Sequence, residues 1–110
     1  MAQISAVTPQ SVGEVASLIP SFERSLRATN KRDKTIATYL EAARQLLAFL
    51  RASGMPTAVG NIRRDHIEAF IERLVLTRSP ATANNRFRGL RALFNFLVEF
   101  GEIAASPMPV

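Results

Sequence analysis

The sequence predicts an all-α fold, a compact four-helix bundle, from three observations. Four segments carry apolar residues at helical spacing, each is bounded by helix start or stop signals, and strand-like alternation is nearly absent. The 110 residues suit one domain, and a hydrophobic content of 47% is ordinary for a globular core.

The first helix is expected to open at Ser11 and Glu14, spaced as a capping box, and to run to about Thr29. Val15, Leu18, Ile19, Phe22 and Leu26 form its apolar stripe, and Pro20 either kinks it or starts its second half. The second is the clearest. Asp33 is placed to cap it, and Ile36, Tyr39, Leu40, Ala43, Leu46, Leu47 and Leu50 share one face up to Ser53. Gly54 then ends the helix and Pro56 bars its continuation. Between Ser53 and Arg63, the residues Gly54, Pro56 and Gly60 suggest an ordered turn.

A third helix is predicted over Arg64 to Thr77, with Ile67, Phe70, Ile71 and Leu74 inward and Asp65 and Glu68 near its positive end. The fourth opens with Ser79 as cap and Pro80 at the first helical position, and stops at Gly101. Its stripe is Ala83, Phe87, Leu90, Phe94 and Leu97, while Gly89 weakens the helix interior. Phe49 and Phe96 fall off the main stripes, and either enlarge the core or form a docking patch. The expected organisation is a flexible N-terminus over 1–10, a helical domain over 11–103 and a linker over 104–110.

Several function classes fall away. No apolar run is long enough to span a membrane, residues Met1 to Gln10 lack a signal-peptide pattern, and there is no cysteine. A cytoplasmic location with no membrane partner is expected. The lone His66 and scattered carboxylates cannot build a metal site, and no glycine-rich phosphate loop is present. Tyr39, the only tyrosine, falls on the inward face, and His66 reads as a solvated residue at a helix start. The chain is expected to have no catalytic residue, metal or cofactor, and not to be an enzyme.

The charge points elsewhere. The net charge is +5 and the cations are nearly all arginine, which favours a polyanionic partner. From Thr77 to Val98 there is no acidic residue, while Arg78, Arg86, Arg88 and Arg91 all fall there. Lys31, Arg32 and Lys34 gather at the start of the second helix. Helix starts present unpaired N–H groups and partial positive charge. Lys34, Thr35 and Thr38 on one start, and Thr82, Asn84, Asn85 and Arg86 on the other, would make two tips suited to phosphates and base edges.

Two stretches carry a family resemblance. Asp33-Lys34-Thr35-Ile36-Ala37-Thr38-Tyr39, followed by Leu46, Phe49 and Leu50, resembles the opening helix motif of the core-binding domain of tyrosine recombinases, the phage integrase family. Ser79-Pro80-Ala81-Thr82-Ala83-Asn84-Asn85-Arg86, running on to Phe96-Leu97, is similar to a later helix of that domain, and Ile62 with His66 to Ile71 to the helix between. The resemblance covers roughly residues 15 to 107. It implies a SAM-like fold that docks on one face of double-stranded DNA while a catalytic domain clasps the other. The matching contacts would be Lys34, Thr35, Thr38, Thr82, Asn85 and Arg86; Lys31, Arg32, Asn84 and Arg88 join them from charge and helical position.

Ser106-Pro107 stands where the family often has Asn-Pro, and the catalytic set of arginines, lysine, histidines and nucleophilic tyrosine is not in the sequence. The chain therefore resembles an excised or truncated domain of a site-specific recombinase. Its expected partners are duplex DNA, the parent's catalytic domain and neighbouring recombinase protomers. The competing reading is a helical protein–protein interaction module with a basic surface. A helix-turn-helix regulator fits least, since the connection from Ser53 to Arg64 is too long for its tight turn.

Overall fold

A computed structural model of the chain describes residues 13–109. The chain forms four α-helices, α1 (Val15–Ala28), α2 (Asp33–Ala52), α3 (Arg64–Thr77) and α4 (Pro80–Glu99), with a 3₁₀ turn at Val59–Asn61 before α3. This is the expected all-α, four-helix architecture. The N-terminal stretch 1–10, expected to be flexible, lies outside the described residues.

The helix ends follow from local chemistry. Ser79 caps α4, its Oγ accepting the Thr82 N–H at 3.0 Å, and Pro80 follows in the first turn. Three helices close with the same C-terminal motif, in which one residue turns left-handed and two N–H groups reach back. After α1 that residue is Asn30 at φ 61°, after α2 Gly54 at φ 68°, and after α4 Gly101 at φ 86°. At each, the next N–H returns to the last helical turn: Lys31 to the Leu26 carbonyl, Met55 to Leu50 and Glu102 to Leu97.

Two expected caps differ. Arg32, not Asp33, precedes the first turn of α2, and Asp33 is its first helical residue, with its carboxylate 3.5 Å from the Arg27 Nη1. Glu14 is itself the residue before α1, not the far partner of a box with Ser11, which lies outside the described residues. The Glu14 carboxylate accepts the Thr57 hydroxyl instead, at 2.6 Å. That contact belongs to a short antiparallel bridge between Glu14 and Ala58, in which Val15 N–H donates to the Thr57 carbonyl and Val59 N–H to Gly13. The bridge orders the long α2–α3 connection. Helix α1 passes unbroken through Pro20, which is exposed, so the carbonyl it leaves unpaired can be hydrated.

The core is built from one face of each helix: Val15, Leu18, Phe22 and Leu26 of α1; Ile36, Leu40, Leu46, Leu47 and Leu50 of α2; Ile67, Phe70 and Leu74 of α3. Helix α4 contributes Leu90, Leu93, Phe94, Phe96 and Leu97. It packs on all three other helices, so its buried arc is wider than a single stripe. Phe96 is thereby core, 8% exposed and tilted against Phe22 at 5.5 Å between ring centroids. Phe49 is half-buried beside Phe70, and the Arg73 guanidinium lies over its ring at 5.5 Å. Ile103, at the end of the expected helical domain, and Met108, in the expected linker, pack back against the core.

Among the described residues, no helix is long and apolar enough to cross a membrane, and no group of metal-ligating side chains converges. No buried polar or charged side chain is found among them either.

Candidate nucleic-acid interface

Helices α2 and α4 form the most extensive helix pair, and Gly89 is what lets them approach so closely. A Cβ there would fall 2.6 Å from the Ala42 Cβ and 3.3 Å from the Tyr39 Cα. The crossing brings two matching helical faces together. Thr35, Thr38 and Tyr39 on α2 are spaced i, i+3, i+4, as are Asn85, Arg88 and Gly89 on α4. The missing side chain at Gly89 leaves room for the Tyr39 ring.

Between the start of α2 and the second and third turns of α4 lies an open groove of about 370 Å³, lined by Arg32, Lys34, Thr35, Thr38, Tyr39, Asn85 and Arg88. Three of these are cations, three are short or aromatic hydroxyl side chains, and none is acidic. Arg32, Lys34 and Arg88 are exposed and form no ion pair among the described residues. Uncompensated cations around hydroxyl and amide groups suit an anion with several oxygen acceptors.

Asp33, which stands in sequence between the groove residues Arg32 and Lys34, is engaged with Arg27, which is not in the groove lining. Asp33 and Glu23 both approach Arg27, at 3.5 and 2.8 Å. The hydrogen bond and charge of Glu23, joined by Asp33, hold the Arg27 guanidinium above its ordinary pKa. Arg27 is thus the compensated cation of this region.

The structure brings together six of the ten residues singled out from sequence: Arg32, Lys34, Thr35, Thr38, Asn85 and Arg88. Four stand apart. Lys31 lines the adjoining groove between α1 and α4, on the other side of Tyr39. Thr82 is half-buried in the α4 cap, its hydroxyl accepting from Ser79 Oγ at 3.0 Å. Asn84 is exposed in the first turns of α4 and lies outside the groove lining. Arg86 turns across the interface, donating from Nε to Gln45 Oε1 at 2.7 Å and from Nη1 to Asn85 Oδ1 at 2.8 Å.

Two residues, one in the groove and one behind it, were not legible as such. Tyr39 reads as core from its apolar spacing, yet it is half-buried and forms a wall of the groove. Its position one turn beyond Thr35 was the available signal. Gln45 had no signal, because its role depends on a partner 41 positions away.

His66 has a structural task. Its Nδ1 accepts the Arg63 backbone N–H at 2.8 Å at the start of α3. The Arg63 side chain has no acceptor to complete a reciprocal cap.

Comparison with curated proteins and with solved structures gives no match. The family model of the phage integrase N-terminal SAM-like domain matches residues 18–100, a span that runs from the first turn of α1 through the end of α4 and takes in both sides of the groove. The chain belongs to the phage integrase N-terminal SAM-like domain family.

Proposed function

We propose that this chain binds duplex DNA through the groove between the start of α2 and the second and third turns of α4, as the DNA-docking arm of a site-specific tyrosine recombinase. In this reading Arg32, Lys34 and Arg88 take backbone phosphates, and the Thr35 and Thr38 hydroxyls fix the register. Asn85 lies among them as a neutral hydrogen-bonding side chain, with Lys31 and Asn84 flanking the contact. Thr82 and Arg86 serve from behind, one in the helix cap and the other in the α2–α4 interface. The parent's catalytic domain would close on the opposite face of the duplex and carry out strand cleavage and rejoining.

The observation that carries this reading is the groove itself, lined by no acidic residue and by three cations, two at the start of α2 and one on α4, that form no ion pair among the described residues. Family membership supports it independently. The competing protein–protein reading would put an apolar patch at the working surface, with Phe96 in it. Phe96 is buried instead, stacked on Phe100 at 4.9 Å between ring centroids.

Titration of the chain into a duplex over a series of salt concentrations tests the proposal. The logarithm of affinity should fall with the logarithm of salt, by about 0.9 for each phosphate neutralised. Affinity that is absent at low salt, or unchanged at high salt, would refute it.

A further inference from the structure

A chain of hydrogen bonds runs behind the groove and ends on one of its lining residues. Gln45 Nε2 donates to Glu41 Oε2 at 2.8 Å, Arg86 Nε donates to Gln45 Oε1 at 2.7 Å, and Arg86 Nη1 donates to Asn85 Oδ1 at 2.8 Å. The direction of this chain is set at both ends by what each group can do. A carboxylate only accepts, so Glu41 faces the Gln45 amine and the Gln45 carbonyl is left toward α4. A guanidinium only donates, so Arg86 meets a carbonyl oxygen on either side. Asn85 must then turn its oxygen inward to Arg86. Its amine is left for whatever occupies the groove.

We propose that Gln45 is a positioning residue that, through Arg86, aims the Asn85 amine at a phosphate oxygen of DNA bound in the groove. This rests on the DNA reading above and adds to it the polarity of the Asn85 contact. Asn85 shares the groove with Arg32, Lys34 and Arg88, so the acceptor that reaches all four is the phosphodiester backbone. Arg86 itself is held between Gln45 and Asn85 and contributes no phosphate contact. Its charge serves to fix an amide.

Affinity for random-sequence duplexes, measured over a salt series, distinguishes a positioning role from a direct one. The variants are Gln45→Met, Arg86→Met and Asn85→Ala, alone and in pairs, and methionine keeps the length and helix preference of the replaced stems. Each single change should weaken binding about three- to tenfold, the size of one hydrogen bond. The salt slope should stay that of the unaltered chain, because no released counterion is lost. In the Asn85→Ala background, Gln45→Met and Arg86→Met should have no further effect, as expected for residues that act through Asn85.

Three results would overturn the inference while leaving DNA binding intact: a slope reduced by about 0.9 in Arg86→Met, which marks a direct phosphate contact; additive losses in the pairs; or a loss at Asn85→Ala that depends on duplex sequence. A Gln45→Met chain that melts like the original but binds equally well would overturn it too. Failure of the unaltered chain to bind at any salt would instead remove the DNA reading on which the inference stands.

Discussion

Gly89 and Ala42 meet where α4 crosses α2, so closely that a Cβ on the glycine would lie 2.6 Å from the alanine Cβ. The groove between Thr35, Thr38 and Tyr39 on one side and Asn85 and Arg88 on the other depends on this approach. An interior glycine normally weakens a helix, and replacing it with alanine gains about 1 kcal/mol. Here the sign is reversed by overpacking. Gly89→Ala should destabilise the domain by about 1–3 kcal/mol in denaturant unfolding. Adding Ala42→Gly should recover most of that loss, and two additive losses would show that the contact is not the cause.

Asn30 sits at φ 61° after α1, directly before Lys31 and Arg32, the cations that lead into α2. Asn30→Val should cost about 1–2 kcal/mol, since a β-branched residue is strained in the left-handed region. Asn30→Gly should be neutral or slightly stabilising, because glycine adopts that conformation freely. Equal melting temperatures for the two variants would contradict this account of the turn.

Ser79 holds the first turn of α4, with its Oγ bonded to the Thr82 N–H and hydroxyl. Ser79→Ala should lower stability by about 1 kcal/mol, whereas Ser79→Asp should largely preserve it. Thermal unfolding of both proteins provides the comparison.

Lys34 and Arg88 face one groove from different helices. Lys34→Ala and Arg88→Ala should each reduce the salt slope of duplex binding by about 0.9, with melting little changed. Arg24→Ala, at an exposed site on α1 outside the groove, should leave the slope as it was. A similar decrease at Arg24 would mean that binding follows net charge and not this site.

Leu90, two residues after Arg88 on α4, is fully buried. Leu90→Ala should destabilise the fold by about 2–5 kcal/mol, the range for a cavity left by a large aliphatic side chain. Its loss of binding should track unfolding, unlike that of Lys34→Ala.

The amino-acid sequence alone determined the four helices, because apolar spacing, Ser79-Pro80 and the stop at Gly54 act within a few residues of one another. It also determined that cations would gather at the starts of α2 and α4, since that is a matter of order along the chain. Tertiary structure decided which of those residues share a groove. Arg88 and Asn85 enter it while Thr82 and Arg86 are drawn into a cap and an interface, and neighbours on one helix turn point about 100° apart. Gly89, a flaw by local preference, becomes the point of closest contact only when α2 lies across it. Helix preference is a short-range property, whereas a groove between helices depends on crossings that join residues some forty positions apart, as Gln45 and Arg86 are.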